Sequence, residues 1–338
     1  MNDRIMESFL SASKSALSKL SSYKRVRVVL GNETCDLDSA VSALIQAFCE
    51  YLDDVEGNGS DLAVIPVMNV PEKEYRVKTE VVFFLKSHNI HSDLMTFRDQ
   101  IDLKGLKENE DSRLEVVLVD HHSLADEDAF LADSVRKIID HRPRDARWPW
   151  PGREVHLESV GSCATLVARN LLEKHPAAMD RRLSSLLRGP ILIDTHNLSK
   201  EVNRATPADV RVVEALEKVG QLDPDRSKVL SEIVEAKADI SGLTGDDLLI
   251  RDLKVASGVP IVGLPVLVKN FLELPDAVNS LEIFAKSRRT TVVVLMGMDL
   301  KSQKMSRDIG IFSLAADRLR ERVRKHRYFI LPRKSHVR

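Results

Sequence analysis

Short apolar runs rich in β-branched residues alternate with amphipathic stretches over about the first 200 residues of the chain. Residues 39–51 place Val41, Leu44, Ile45 and Phe48 on one face, which predicts a helix. The runs that predict strands are Arg25–Leu30, Val64–Val67, Val81–Leu85, Val116–Val119 and Lys137–Ile139. Further helices are predicted at residues 5–20, Gly161–Lys174 and Met179–Arg188, and Ile191–Ile193 predicts a short strand or a helix end.

The predicted strands are mostly apolar throughout instead of alternating, which suits a parallel sheet with helices on both faces. The pattern therefore predicts an α/β fold, with a doubly wound parallel sheet in the N-terminal domain. Residues 207–240 predict helices only, and the Gly-containing stretch 236–245 predicts a linker. Beyond the linker, strands at 260–268 and 290–296 and helices at 271–287 and 311–325 predict a smaller α/β domain. The predicted domains are residues 1–235 and 246–338, joined by that linker.

Composition narrows the class of protein. The 338 residues include 50 basic and 51 acidic side chains, and this balance argues against a long nucleic acid or a membrane surface as partner. Aromatic residues are only 5% of the chain, which is sparse for stacking along a strand of bases. The three cysteines form no disulfide framework or zinc pattern, and no apolar run is long enough to span a bilayer. With no pattern of a signal peptide, we expect a cytoplasmic protein.

Four acidic motifs follow apolar runs in the predicted N-terminal domain. They are Gly31–Ser39, Asp120–His122, Asp140–Arg142 and Asp194. Ligands of open α/β sheets bind at the carboxyl ends of strands, so these side chains are expected to meet at one edge. Carboxylates gathered there repel one another unless cations neutralise them. Four Asp with one or two His can hold two divalent metals that share a bridging carboxylate, a site suited to attack of an activated water on phosphorus.

Each motif alone also fits a simpler structural role. An Asp after a strand is often a helix N-cap, the two His could be ordinary loop residues, and Arg142 a surface charge. Gly161–Thr165 opens a predicted helix, where small residues let backbone N–H groups approach an anion, or where Ser162 simply caps the helix. Cys35 and Cys163 fit small buried residues better than metal ligands.

These motifs together resemble the DHH phosphoesterase superfamily, and within it the prune exopolyphosphatases, relatives of the family II inorganic pyrophosphatases. The stretches that carry the resemblance are Val28–Ala43, Asp120–His122, Ile138–Pro143, Gly161–Thr165 and Ile193–Asp194. The resemblance begins near residue 27 and includes a second domain of the kind called DHHA2. Its features here are Ala236–Thr244, Asp252–Lys254 and the pair Arg333 and Lys334.

The resemblance implies a site with two divalent cations, Mg²⁺ or Mn²⁺, bridged by Asp120. It assigns one metal to Asn32, Asp36 and Asp120, and the other to Asp38, Asp120, His141 and Asp194. The five acidic and histidine ligands, Asp36, Asp38, Asp120, His141 and Asp194, are also the implied catalytic residues. Substrate phosphates would meet His122, Arg142, Lys254, Arg333 and Lys334.

Two departures from the family pattern matter. The pyrophosphatases have His at the position of Asn32, and an amide oxygen is a harder ligand, so Mg²⁺ should be favoured more. The Asp-His-His triplet that names the superfamily belongs at the third motif, which here is Asp140–Arg142, whereas this chain carries the triplet at Asp120–His122. The roles of His121 and His122 therefore stay open.

The function that we expect is hydrolysis of terminal phosphoanhydride bonds of short inorganic polyphosphates. Two alternatives remain: a phosphodiesterase acting on cyclic nucleotides or short oligonucleotides, and a prune-like interaction protein with little catalysis. The complete set of acidic ligands argues against the last. The expected partner is a short polyphosphate or another small phosphate, and protein partners stay open.

Overall fold

The computed structural model describes residues 3–56, 61–256, 258–299, 306–314 and 329–331. The chain divides into two compact units, one of residues 1–73 and 81–233 and the other of residues 74–80 and 234–338. The segment 74–80 thus belongs with the second unit, although it lies within the sequence of the first. No helix in the described ranges is long and apolar enough to cross a membrane.

The first unit contains a six-stranded sheet in which every neighbouring pair is parallel. Its strands lie in the order β3-β2-β1-β4-β5-β6. They are β1 (Arg25–Leu30), β2 (Leu62–Met68), β3 (Thr96–Phe97), β4 (Arg113–Val119), β5 (Val135–Asp140) and β6 (Glu154–Leu157). The chain proceeds outward from β1 to β3 and then returns to β4 on the other side of β1, so the strand order reverses between β1 and β4.

Helices cover both faces of this sheet. Val26 and Val28 of β1 pack in one apolar cluster with Ala16 and Leu103, whereas Arg27, between them, reaches a helix on the other face. The helices up to residue 238 are α1 (Asp3–Ala16), α2 (Leu37–Glu56), α3 (Glu72–Tyr75), α4 (Thr79–Ser87), α5 (Leu103–Glu108), α6 (Cys163–Lys174), α7 (Arg181–Asp194), α8 (Pro207–Gly220) and α9 (Ser227–Ala238). This confirms the predicted doubly wound α/β fold.

The second unit has a smaller mixed sheet in the order β11-β10-β9-β8-β7. Its elements are α10 (Gly245–Arg251), β7 (Leu253–Ala256), β8 (Val259–Leu264), α11 (Val268–Phe271), α12 (Ala277–Ser287), β9 (Val292–Asp299), β10 (Ser306–Ser313) and β11 (Phe329–Leu331). Its core joins Leu248 and Leu249 of α10 with Leu281 of α12 and Val293 and Leu295 of β9. A second α/β body therefore follows the first, as predicted.

The apolar run Val81–Leu85 is wrong as a predicted strand, because it lies in helix α4. Val81, Phe84 and Leu85 are buried, while Phe83 is 38% exposed. This is the spacing of a helix face, since a strand would bury Val81, Phe83 and Leu85 together. A short apolar run cannot distinguish a buried strand from a buried helix by periodicity alone.

For Ile191–Ile193, the second of the two predicted alternatives is correct, because these residues are the last turn of α7 and Asp194 ends that helix. One further predicted element is corrected. The predicted helix 311–325 begins in a strand, because residues 311–313 complete β10, where Phe312 is fully buried. Residues 315–325 lie outside the described part of the chain.

The start of α8 gives a test of local stability. Thr206 caps this helix: its hydroxyl donates to Asp209 Oδ2 at 2.7 Å and accepts from the Asp209 amide. Thr206→Ala should lower the free energy of unfolding by about 1 kcal/mol, since it removes this cap. Urea titration of the two proteins measures the loss. Thr206→Ser keeps the hydroxyl and should lose little, so equal losses in both variants would contradict the role of the cap.

Candidate metal centre

Three of the four acidic motifs lie at the carboxyl ends of β1, β4 and β5. The loop after β1 carries Asn32 and Asp36 and leads into α2, whose first turn includes Asp38. Asp120 directly follows β4, and Asp140 is the last residue of β5. β1 and β4 flank the point where the strand order reverses, which is the usual place of ligand binding in open α/β sheets.

Asp38, Asp120 and His141 form the tightest part of the site. Each offers one ligand atom, and these atoms all lie within 4.8 Å of one another. His141 Nε2 is 3.2 Å from Asp120 Oδ1 and 4.0 Å from Asp38 Oδ2. Asp38 is 4% exposed and Asp120 is 1% exposed, so both carboxylates are largely removed from water. Two carboxylates and an imidazole at this spacing form a donor set for a divalent cation.

The orientation of His141 also fits a metal ligand. Its Nδ1 lies 3.0 Å from the carbonyl oxygen of Val160, to which it donates a proton. Nε2 consequently faces the carboxylates. A hydrogen bond from one ring nitrogen to a backbone carbonyl is the usual way in which a ligating His is held, because it fixes the tautomer and the plane of the ring.

The electrostatics of the site indicate uncompensated negative charge. Burial raises the pKa of Asp120 to about 7, and the Asp38 carboxylate adds to the rise. Burial and the charges of Asp38 and Asp36 raise the pKa of Asp194 well above its usual range. Burial alone would lower the pKa of His141, but the hydrogen bond to Asp120 and the charge of Asp38 raise it to about 9. All three shifts would be relieved by a cation among these groups.

Asp38 is fixed by the first turn of α6. Its two carboxylate oxygens accept hydrogen bonds from the backbone N–H groups of Cys163, at 2.6 Å, and Ala164, at 2.7 Å. Ser162, which precedes the helix, makes no side-chain capping bond. The helix start does therefore bind an anion, but this anion is the Asp38 carboxylate of the protein itself, held in place for its role in the site.

Asn32 contacts Asp120 through the nitrogen of its amide. Nδ2 donates to Asp120 Oδ2 at 2.7 Å, while Oδ1 accepts from the backbone and hydroxyl of Thr34 and from the Cys35 amide. The loop is tight: a Cβ on Gly31 would lie 2.3 Å from Ser39 Oγ, which accepts from the Asn32 amide. In this arrangement Asn32 orients Asp120, and its oxygen is engaged elsewhere.

Asn32→His should shift the metal preference of the protein toward Mn²⁺ relative to Mg²⁺. The new side chain would place an imidazole beside Asp120, and a nitrogen ligand suits Mn²⁺ better than Mg²⁺. Activity titrated with each ion measures the shift. Asn109→His, made beyond the other edge of the sheet between α5 and β4, serves as the control. An unchanged preference in Asn32→His would mean that residue 32 acts only by hydrogen bonding.

A second hydrogen-bonded group surrounds Asp140, which is fully buried. Its Oδ2 accepts from His122 Nδ1 at 2.5 Å, and its Oδ1 accepts from the His141 amide and from Arg142 Nη1. Arg142 Nη1 also donates to Asp120 Oδ1 at 2.7 Å. Burial alone would raise the pKa of Asp140, but the hydrogen bond from His122 and the charge of Arg142 lower it. Asp140 thus connects the β5 motif to the carboxylate of Asp120.

The two His after Asp120 have structural partners. His122 is buried, and its Nε2 accepts from the Asp145 amide while Nδ1 donates to Asp140. His121 donates from Nδ1 to the Val119 carbonyl, and burial lowers its pKa. Both nitrogens of His122 are therefore engaged within the protein, which favours a positioning role over direct contact with a substrate.

The remaining predicted residues are spread more widely. Asp36 is half-buried and accepts a hydrogen bond from the Ser39 amide at 3.0 Å, in the first turn of α2. Burial raises the pKa of Asp38, and the charge of Asp36 adds to the rise. Asp194 is half-buried at the end of α7 and lies outside the group of three close ligand atoms. Lys254 is exposed on β7 in the second unit. Arg333 and Lys334 lie outside the described residues.

The backbone at the site is locally unusual. Asp120 has φ of 58° and Cys35 has φ of 46°, in the left-handed region that few residues other than glycine adopt. The Asp120 amide donates to the Ile139 carbonyl of β5, which anchors the turn. Such conformations persist where the surroundings enforce them, often at functional sites. All three cysteines are buried, which for Cys35 and Cys163 was predicted.

Sequence reasoning did not assign Asp140, Val160 or Asp209 to the site. The sequence shows Asp140 as part of the third acidic motif, but it does not show the hydrogen bonds of Asp140 with His122 and Arg142. Asp209, on α8, is buried and accepts from the Gly161 amide at 2.9 Å and the Thr165 hydroxyl at 2.6 Å, so it fixes the start of α6. No local pattern marked Asp209, since it lies far from its partners in sequence.

Comparison with known proteins places the chain in a family. No family model matches it. It is 37% identical to "Exopolyphosphatase PRUNE1" of Bos taurus over 295 residues, 86% of this chain and 63% of that protein. It is also 31% identical, over 320 residues, to a provisionally named exopolyphosphatase of Schizosaccharomyces pombe, covering 87% of this chain and 78% of that protein.

More distant similarity extends to pyrophosphatases. The chain is 24% identical to "Manganese-dependent inorganic pyrophosphatase" of Methanothrix thermoacetophila, covering 80% of this chain and 81% of that one. A crystal structure of a provisionally assigned family II inorganic pyrophosphatase of Methanococcus jannaschii superposes with a TM-score of 0.57. It is 20% identical and covers 84% of this chain and 87% of the other, so it supports the fold.

With its fold and acidic motifs, the protein is of the DHH phosphoesterase class. The chain belongs to the prune-type exopolyphosphatase family of that superfamily. It spans 63% of the length of the bovine relative that it matches.

Proposed function

We propose that this protein is a metal-dependent phosphohydrolase that removes the terminal phosphate of short inorganic polyphosphates. The observation that carries the proposal is the buried group of Asp38, Asp120 and His141 at the carboxyl edge of the parallel sheet. Membership of the prune-type family supports the choice of a phosphoanhydride bond. The relative in Methanothrix thermoacetophila is named as manganese-dependent, and this supports dependence on a divalent metal.

The residues present fit a divalent cation. Asp38, Asp120 and His141 would hold one ion, and Asp36 would contribute to a second, with Asp120 shared between them and oriented by the amide of Asn32. Asp194, whose pKa is raised by burial and by its carboxylate neighbours, would complete the first set. Mg²⁺ or Mn²⁺ bound there would neutralise the carboxylates, provide a more acidic water and polarise a phosphoryl oxygen.

Arg142 is placed to orient a phosphate. One of its terminal nitrogens, Nη1, is anchored on Asp120 and Asp140. The side chain is nevertheless 44% exposed, and its Nε and Nη2 make no hydrogen bond within the described residues. A guanidinium held at one nitrogen can present its other N–H groups to two phosphate oxygens in a fixed geometry. We propose this contact for the terminal phosphate of the substrate.

His141 and Asp140 keep the other charged groups of the site in position. The carbonyl of Val160 holds Nδ1 of His141, so that Nε2 stays directed at Asp120. Asp140 holds both His122 and Arg142, so the cationic and acidic groups keep one arrangement. Catalysis of phosphoryl transfer depends mainly on such positioning and on charge stabilisation. Lys254, Arg333 and Lys334 of the second unit are proposed to bind the other phosphates.

Orthophosphate release tests the proposal directly. Pyrophosphate, tripolyphosphate, long polyphosphate and cyclic AMP are compared as substrates, each with Mg²⁺ and with Mn²⁺. We expect release from tripolyphosphate that depends on the metal and is faster than from long polyphosphate. Hydrolysis of cyclic AMP without release from polyphosphate would favour a phosphodiesterase instead. No hydrolysis of any of the four would favour an interaction protein.

A further inference from the structure

A cavity of about 330 Å³ lies at the opposite edge of the same parallel sheet. It is formed where β4 and β5 begin, by residues 112–115 and 133–136, together with Lys107 of α5 and Arg153 before β6. The acidic cluster lies at the carboxyl ends of these strands, so the cavity is separate from it. Its volume is at the lower end of the range for small-molecule sites.

The wall of this cavity carries an excess of positive charge. Lys107, Arg113, Arg136 and Arg153 line it, against the carboxylates of Glu115 and Asp133 alone. Glu115 is already neutralised within the protein, because the buried Arg27 donates to its Oε2 from Nε and Nη2, at 2.9 and 2.7 Å.

Asp133 is 91% exposed, and its carboxylate lies 3.8 Å from Lys107. A carboxylate in that position is well hydrated and compensates nearby cations only weakly. Arg136 is paired with Glu50, whereas Arg113 and Arg153 make no ion pair within the described residues, so the charge of these two guanidinium groups remains free to attract an anion.

A bulge in β5 directs Arg136 to this place. In the pairing of β4 with β5, Val116 faces Val135 but Val117 faces Lys137, so Arg136 is the extra residue. Neighbouring residues of a regular strand point to opposite faces. Here Arg136 and Lys137 both reach Glu50, at 3.1 and 3.2 Å. This contact fixes the Arg136 side chain while leaving it 35% exposed at the cavity.

Two polar side chains of the cavity lack partners. The hydroxyl of Ser112 is buried without a hydrogen bond, and the residue is only 6% exposed. The guanidinium of Arg113 makes no ion pair or side-chain hydrogen bond within the described residues, and this residue is exposed. A buried hydroxyl normally finds a partner, since leaving it unsatisfied destabilises the fold.

We propose that this cavity binds a compact oxyanion of the phosphate class. The Ser112 hydroxyl donates one hydrogen bond to it, and Arg113, Arg136 and Arg153 supply charge-assisted hydrogen bonds. No aromatic residue is among those that line the cavity, so no surface for stacking a nucleobase is present there. The proposal concerns binding alone and does not depend on the hydrolase activity.

Calorimetric titration of the full chain tests the proposal. The probes are orthophosphate and tripolyphosphate, in EDTA and moderate salt, because without divalent cations the acidic cluster repels anions. We expect one site per chain for at least one of the two anions. Arg113→Ala and Ser112→Ala should each weaken binding by roughly tenfold or more, as for loss of a hydrogen bond to a charged group. Retained thermal unfolding midpoints show that both variants fold.

Two control variants separate this cavity from other cations. Lys218→Ala removes one exposed cation on α8, and Arg142→Ala removes the cation beside Asp120; both should leave the dissociation constant unchanged. Absence of binding to the wild-type protein would overturn the proposal. So would equal weakening in Lys218→Ala, which would indicate a general effect of charge, or loss of binding in Arg142→Ala, which would place the anion at the acidic cluster.

Discussion

Asp120→Asn is expected to reduce phosphate release from tripolyphosphate by at least about a hundredfold. Asp120 is 1% exposed and lies at the centre of the site, with its Oδ1 3.2 Å from His141 Nε2. Asn keeps the size of the side chain but removes the charge that two cations would share. One of its two terminal atoms also becomes a donor, which would face the donors of Asn32 or Arg142.

The rate with saturating Mg²⁺ and with saturating Mn²⁺ measures this effect, and the circular dichroism spectrum checks the fold. Asp126→Asn makes the same chemical change six residues further along, at an exposed position, and should be close to wild type. Near-normal turnover in a folded Asp120→Asn protein would exclude a shared carboxylate. A loss of similar size in Asp126→Asn would mean that the lower rate arises from a general change in the segment after β4 and not from the Asp120 carboxylate.

The central strands could be predicted because they are apolar in sequence and buried in the structure. The apolar runs in β1, β2, β4 and β5 are buried on both faces, which removes the need for a polar alternation. Parallel strands place their carboxyl ends at one edge, so motifs that follow separate strands come together. That argument brought Asp38, Asp120 and His141 into one predicted site, and the structure gathers them.

The edges of the sheet could not be predicted in this way. Strand β3 has only two residues, and β6 alternates between exposed and half-buried positions. Neither gives a run long enough for a periodic signal. The apolar run in α4 has the opposite problem: it is strong in hydrophobicity but lies on a helix face, with Phe83 exposed. Tertiary packing decided between two local structures that the pattern allows equally.

Hydrogen bonds between residues far apart in the sequence could not be predicted from the hydrophobic pattern either. Asp38 is held by the backbone of Cys163 and Ala164, and these contacts span more than a hundred positions. The start of α6 was expected to bind an anion or to be capped by Ser162, yet its N–H groups hold the Asp38 carboxylate. A sequence shows which groups are available, but the fold decides which of them are already in use.

Asp140→Asn should lower activity by roughly 10- to 100-fold, the range seen when a residue that supports metal ligands is lost. Asp140 accepts from His122 Nδ1 on one oxygen and from His141 and Arg142 on the other. Asn can supply only one accepting oxygen. If that oxygen keeps the bonds to residues 141 and 142, its NH₂ group faces the Nδ1–H of His122. A change of tautomer cannot resolve this clash, because His122 Nε2 must accept from the Asp145 amide.

Asp145→Asn is the matched control for this prediction. It changes the same residue type in the same region, but it leaves untouched the Asp145 backbone amide, which is the group that donates to His122. The Asp145 carboxylate contacts Arg147 and Ser123, outside the acidic cluster, so its loss should change activity little. Steady-state rates and the metal concentration for half-maximal activity are measured for both variants. A positioning role for Asp140 predicts a lower rate together with a higher metal requirement, because the Asn side chain can keep either the bonds to residues 141 and 142 or the bond to His122, but not both. A loss of thermal stability with unchanged kinetics in the folded fraction would show that Asp140 serves the fold alone.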